Sequence, residues 1–425
     1  MEMSSKTNKK TRTVVFLGAG ASVEFLSNFQ DSCLSTQRLT FIIADNIHDF
    51  EAYISEFIDK REVFWIKDFL LEITASLRKY FGNTFNFEQI IHVVDIVVDI
   101  YASKNSSVLY GKNSLIPSIY LSLIDYFRSG VDSYPGKIFF NLPEILRYYI
   151  LDYICDHHYP RFKHEADKLD LNLWTNFLLK ILEDSNISIF SLNYDSLLYE
   201  VVDYFNKNTE HYIDTGIKIE DLALENGVER LNLTKLINAK NIFIPLHGSI
   251  HFVPDHQSVK FCRACSYAKE QRRRISVSRN KRQDGTFDYN QIMITGLSKF
   301  EAVAKEPFST FYMRLVKDII EASKIFIVGY GGLDQHLNML LKSAYCYADE
   351  FHYITKLPEI YLNNHSLLEH LDYNEFWFCR NFLPESCFKT ENQDIKITDQ
   401  FLMKDKCYIY SKGTKYFLQN YNAKQ

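Results

Sequence analysis

Two short polar stretches in this chain stand directly behind apolar β-type runs. Ile187-Ser188-Ile189-Phe190-Ser191-Leu192 runs into Asn193-Tyr194-Asp195-Ser196, and Asn241-Ile242-Phe243-Ile244-Pro245-Leu246 runs into His247-Gly248-Ser249. A carboxamide such as Asn193 fixes a water or a hydroxyl without adding charge. The ordinary pKa of an imidazole such as His247 lies near working pH, which suits a base. Asp195 adds a carboxylate, although it stands equally well as the N-cap of a helix starting at Ser196 and Leu197. Taken singly, His247 also suits a hydrogen-bonded strand end and Asn193 a turn.

Two glycine-rich stretches supply the complementary chemistry. Val14-Val15-Phe16-Leu17 leads into Gly18-Ala19-Gly20-Ala21-Ser22, and Lys324-Ile325-Phe326-Ile327-Val328 leads into Gly329-Tyr330-Gly331-Gly332-Leu333-Asp334. In α/β proteins a strand–glycine turn–helix lets the backbone approach a pyrophosphate, with helix-start N–H groups facing the anion. The full dinucleotide fingerprint has a third glycine where this chain has Val23, so a tight βα turn without a ligand accounts for the same residues. The second stretch reads as a turn too, with Asp334 able to cap the helix that follows.

Those four polar ends need a scaffold that gathers them. Strands alternating with helices predict a Rossmann-like α/β fold, a parallel sheet flanked by helices, whose ligands bind at the carboxyl ends of the strands. Between the first strand and Ile187 the pattern is helical, as at Phe87, Ile90, Ile91, Val94, Val98 and Tyr101 on one helix face. Residues 28–184 are therefore expected as a large helical insertion within a domain spanning 1–345. Residues 346–425 are expected as a C-terminal α+β extension. It would hold short strands at 351–354 and 359–362 and a hairpin of 407–410 with 415–418 around Ser411-Lys412-Gly413-Thr414.

Composition narrows the class. Of 425 residues, 46% are hydrophobic and 24% charged, which describes a folded chain. A net charge of −5 exerts no global pull toward nucleic acid or an anionic membrane. No apolar run is long enough to cross a bilayer and no leader is visible, so a cytoplasmic protein is expected. The cysteines are mostly isolated, as free thiols are in a reducing compartment.

With a nicotinamide dinucleotide in the glycine turn, these side chains suit cleavage of the nicotinamide–ribose bond better than hydride transfer. The transition state carries oxocarbenium-like charge and nicotinamide leaves neutral, so no general acid is needed and a base is.

Taken together, Gly18–Ser22, Ser191–Asp195, Leu246–Ser249 and Val328–Asp334 resemble the sirtuin-like domain, in particular the bacterial branch used in anti-phage defence with HerA-type ATPases. The resemblance implies that NAD is the substrate and that Asn193 and His247 are catalytic, with Asp195 near the nicotinamide. It implies that Gly18, Ala19, Gly20, Ala21 and Ser22 cradle the phosphates and ribose, and that Gly329, Tyr330, Gly331 and Asp334 line the adenosine side. The implied activity is NAD hydrolysis to nicotinamide and ADP-ribose. The alternatives are an NAD-dependent deacylase or ADP-ribosyltransferase, or a non-catalytic NAD or ADP-ribose sensor. A toxic activity would need restraint, so the large aromatic-rich helical insertion and the C-terminal extension predict a homo-oligomer or a regulatory partner, and the resemblance implies a HerA-like ATPase as that partner.

Two departures count against a deacylase. Val23-Glu24-Phe25-Leu26-Ser27-Asn28 stands where deacylases carry a Gly-Ile-Pro-Asp-Phe-Arg-type stretch. Their four-cysteine zinc module is reduced to Cys262-Arg263-Ala264-Cys265. A structural zinc site needs four ligands, so His251, His256 or a distant cysteine would have to complete it, and no metal is expected. The basic run from Lys269 to Arg282 reads as a solvated loop. Nucleic-acid contact there stays open, although no aromatic platform is interleaved with it.

Overall fold

The computed structural model describes residues 11–23, 25, 36–56, 60–82, 85–102, 141–165, 168–217, 228–255, 259–275, 280–281, 287–288, 292–295, 303–332, 334–356, 396–397, 401–404 and 406–421. Its strands are β1 (Thr11–Leu17), β2 (Ser185–Ser191), β3 (Val228–Arg230), β4 (Ile242–Pro245), β5 (Phe252–Pro254), β6 (Val259–Cys262), β7 (Asn280–Lys281), β8 (Phe287–Asp288), β9 (Ala322–Val328), β10 (Glu350–Ile354), β11 (Lys396–Ile397), β12 (Phe401–Lys404) and β13 (Cys407–Tyr410).

The main sheet runs β11-β12-β13-β10-β9-β1-β2-β4. The six strands from β13 to β4 are parallel, and β12 and β11 close one edge antiparallel. This is the expected Rossmann-like α/β sheet. Val14, Val15, Phe16 and Leu17 of β1 are all buried, as a central parallel strand covered on both faces requires. The chain leaves β1 to build β2 and β4 on one side and returns to lay β9 and β10 on the other. The β1/β9 boundary is therefore the topological switch point, where open α/β sheets bind ligands.

A buried charge network fixes the amino ends of these strands. Asp318, on the helix Phe308–Ile320, accepts from Ser188 Oγ at 2.6 Å and Arg314 Nε at 2.7 Å, and lies 3.3 Å from Arg12 Nε. It ties β1, β2 and the helix together at the edge opposite the functional loops.

Between β1 and β2 lie the helices Thr36–Ala44, Ile47–Ser55, Lys60–Phe81, Phe87–Ala102, Leu142–Glu165 and Lys168–Asp184. Their buried residues share one continuous core with the sheet. Arg272 ties this layer to the segment after β4: it donates to Asp152 Oδ1 at 2.7 and 3.0 Å and to the Ile250 carbonyl at 2.7 Å.

That contact corrects the reading of the basic run. Cys265–Ile275 is a helix, Arg272 is fully buried in an ion pair, and Lys269 pairs with Asp156. A long-range partner converts the middle of a charge run into core, and the solvated-loop reading fails there. Residues 276–279 and 282 lie outside the described residues.

The hairpin expected from 407–410 and 415–418 is also corrected. Thr414–Tyr421 is a helix. Its Phe417 and Tyr421 stack edge-on against Phe177 at 5.6 and 5.2 Å, so packing on the neighbouring helix overrides the strand-like aromatic pattern. The antiparallel partner of β13 is β12, just before it. The strand expected at 359–362 and His256 lie outside the described residues. None of the described helices is long and apolar enough to cross a membrane.

Candidate active site

Sheet hydrogen bonding continues just past the strand ends, so four loops leave at one level. Gly18 N–H donates to the Val328 carbonyl, Leu192 N–H to Leu17, Leu246 N–H to Ser191 and Gly329 N–H to Ile354, all at 2.8 to 2.9 Å.

The two glycine loops pack on each other. A Cβ on Gly18 would stand 2.6 Å from the Gly329 carbonyl oxygen, and Gly329 itself has φ +62°. Gly20 N–H donates to that carbonyl at 2.9 Å, and Ala21 N–H to Gly18 at 2.9 Å. Loop-to-loop packing thus accounts for Gly18 and Gly329 without any ligand. The expectation that the turn's N–H groups face an anion fails at Gly18, Gly20 and Ala21, which are already bonded within the protein. The outward positions of these loops are Ala19 and Gly331, both exposed.

Asn193 is turned toward this turn. Its Nδ2 donates to the Gly18 carbonyl at 3.0 Å and to Ser22 Oγ at 2.8 Å. The Gly18 carbonyl can only accept, so the facing atom must be the NH2 and the amide orientation is fixed. The Ser22 hydroxyl, accepting from Asn193, donates in turn to Asp195. Ser22 is fully buried, so it holds Asn193 and Asp195 in place and presents nothing to a ligand.

Asp195 accepts from Leu197 N–H at 2.9 Å, capping the start of the helix Leu197–Asn208. Burial pushes its carboxyl above the ordinary range, with the Leu197 N–H and Ser22 hydroxyl pulling the other way.

His247 follows β4 and is 3% exposed. Its loop is closed by Ile294, whose N–H donates to the His247 carbonyl at 2.8 Å and whose own carbonyl accepts from Tyr194 Oη at 2.9 Å. His247 Nε2 lies 3.9 Å from Asp334 Oδ2, and the His336 ring lies 6.2 Å from the His247 ring, centroid to centroid. Tyr312 Oη and His336 Nε2 share a 2.8 Å hydrogen bond. Asp334 therefore faces His247 across the β1/β9 boundary, a neighbour the sequence did not pair with it. His336 and Tyr312 were not singled out from sequence; the Asp334-Gln335-His336 spacing at a helix start was the available signal.

Tyr330 is committed to its own loop, its hydroxyl donating to Asn338 Oδ1 at 2.8 Å. Burial first, and the Asp334 charge next, raise the phenols of Tyr312 and Tyr330, so both remain protonated at neutral pH.

The cysteine pair lies elsewhere. Cys265 Sγ is 3.6 Å from His251 Nδ1 and hydrogen-bonds with Cys155 from the helix Leu142–Glu165. Burial pushes the Cys262 thiol up to about 11 and the His251 imidazole down to about 4, so these two are held neutral at neutral pH. Among the described residues, the group of three side chains that could hold a metal ion is His247, Asp334 and His336, their ligand atoms within 4.8 Å of one another.

Residues 187–356 match the SIR2-like domain. The match supports a sirtuin-like family and, with it, NAD-related enzyme chemistry. Asn193, Asp195, His247 and Gly329–Asp334 fall inside the SIR2-like segment. The glycine turn at 18–22 falls before it and joins it through the parallel register of Thr11–Leu17 on Ser185–Ser191. No curated protein matches the chain.

Proposed function

We propose that the chain hydrolyses NAD, releasing nicotinamide and ADP-ribose. The observation that carries this reading is the edge just described: a carboxamide locked in orientation and a buried histidine faced by a carboxylate, on adjacent strand ends within a SIR2-like segment. The N-glycosidic bond breaks heterolytically, its electron pair neutralises the departing pyridinium nitrogen, and water adds to C1′ of the ribose. His247 takes the proton that water loses, and Asp334 stabilises the imidazolium so formed. Both N–H bonds of the Asn193 amide are spent on Gly18 and Ser22, so its Oδ1 is the atom that orients the water or a ribose hydroxyl. Asp195 acts through Ser22 as a positioning residue. Ala19, on the outward face of the turn that Gly18, Gly20 and Ala21 shape, forms the phosphate side, and Gly331, beside Gly329 and Tyr330, the adenosine side.

The test is product analysis of NAD incubated with purified protein alone, and again with an acylated peptide or an acceptor protein. Nicotinamide and free ADP-ribose without any acceptor are expected. Consumption only with the acceptor would make the chain a deacylase or ADP-ribosyltransferase, and binding without turnover would make it a sensor.

In the same reading, hydrolysis depletes NAD during phage infection and is restrained by self-association or a HerA-like ATPase. Support comes from the resemblance of the four loops to that branch, and from the helical insertion and the residues after 356, which lie outside the SIR2-like segment. Light scattering that finds a monomer, together with constitutive activity of that monomer, would remove the restraint.

A further inference from the structure

We infer that His247, Asp334 and His336 form a binding site for a divalent transition-metal ion, and that occupying it stops His247 from acting as a base. The second half rests on the proposed NAD hydrolysis; the first does not. Two imidazoles and one carboxylate are a donor set for zinc and its neighbours, whereas magnesium and calcium favour oxygen ligands. Nitrogen and oxygen donors on one tetrahedral ion stand roughly 3.3 to 3.6 Å apart. The 3.9 Å between His247 Nε2 and Asp334 Oδ2 is a few tenths of an ångström wider than that and closes by a small turn of the Asp334 carboxylate. The 4.8 Å outer limit of the group closes by small rotamer changes of Asp334 and His336, which are only half-buried. The Tyr312 hydroxyl on His336 is the outer hydrogen bond that orients a ligating imidazole.

His247 follows β4, and Asp334 and His336 stand at the N-cap and first turn of the helix Gln335–Tyr347 that follows β9. An ion would thus clamp the two sides of the cleft. Coordination uses a ring-nitrogen lone pair of His247, the same kind of electron pair that a base offers to water, so metal and catalytic proton compete for one imidazole. If the imidazole is protonated when the ion arrives, one proton is released.

The test is a Co2+ titration of the full chain after removal of metal with EDTA and dialysis. Saturation at about one ion per chain is expected, with the weak visible bands of nitrogen and oxygen ligation and no thiolate charge-transfer band. His336→Ala, and separately the near-isosteric Asp334→Asn, should each weaken binding by about 100-fold, with melting curves confirming that each variant is folded. Cys262→Ser and Cys265→Ser should leave binding unchanged. A thiolate band, loss of binding in the cysteine variants, or unaltered binding in both His336→Ala and Asp334→Asn would overturn the site.

Zn2+ should then suppress nicotinamide release by the wild-type chain, and EDTA should restore it; binding at this site without suppression would overturn the competition. If the metal-free chain releases no nicotinamide from NAD under any condition, the hydrolase reading falls, and the Co2+ spectrum still decides the metal site.

Discussion

Ser22 carries no charge and touches no solvent, yet two polar side chains of the site depend on it. It accepts from Asn193 and donates to Asp195, and Ser22→Ala leaves both short of a partner in a buried place. We expect a stability loss of about 1–3 kcal/mol and a fall in nicotinamide release of about 100-fold, because a displaced carboxamide misplaces the attacking water. Thermal melting and a nicotinamide assay read the two effects separately. His251 makes a prediction of opposite character, outside the cleft. Burial holds its pKa down to about 4 against an ordinary 6.5. Between those values the unfolded chain binds a proton that the folded chain does not. Stability is therefore fully present above pH 6.5, declines as pH falls to about 4, and levels off below. Urea titrations across that range should show the decline in wild type and a flatter profile in His251→Asn.

At the scale of elements, the site is built by strand ends and by the close approach of two loops. Gly18→Ala drives a Cβ to 2.6 Å from the Gly329 carbonyl oxygen, so β1 and β9 must part at the cleft floor. A loss of about 1–3 kcal/mol is expected, read as a lowered urea midpoint. At the opposite edge, Asp318→Ala removes the buried carboxylate between Arg12 and Arg314, leaving Arg12 with Glu321 and Arg314 with backbone carbonyls, and should cost about 3 kcal/mol. Much of this level was legible in the sequence, since β-branched and aromatic runs ending in Asn193, His247 and Gly329 mark buried parallel strands by composition alone. What was not legible depends on contacts between residues distant in the chain. The Asp334–His247 pairing is set by β9 and β4 lying in one sheet. Arg272 is buried only because Asp152 arrives from the helical insertion. Lys415–Leu418 reads as strand by aromatic content but is helix because Phe417 has Phe177 to pack on.

At the scale of the molecule, the helical insertion and the C-terminal strands share the sheet's core. β10 pairs with β9 over Glu350–Ile354, and β13 pairs with β10. A chain ending at residue 345 loses both and exposes one side of β9, so it should be recovered as insoluble or molten material. Denaturant unfolding of the full chain should give coincident transitions by circular dichroism and by tryptophan fluorescence, since Trp174 sits in that shared core.

The most direct measurement of the central claim is the rate of nicotinamide release from NAD by wild type, His247→Ala and Asn193→Ala, each checked for folding by its melting curve. The expected result is release by the wild-type chain without any acceptor, with a fall of about 100-fold or more in each variant. Full release by either folded variant would contradict the assignment of these residues, and equal consumption by all three would place the chemistry elsewhere in the molecule.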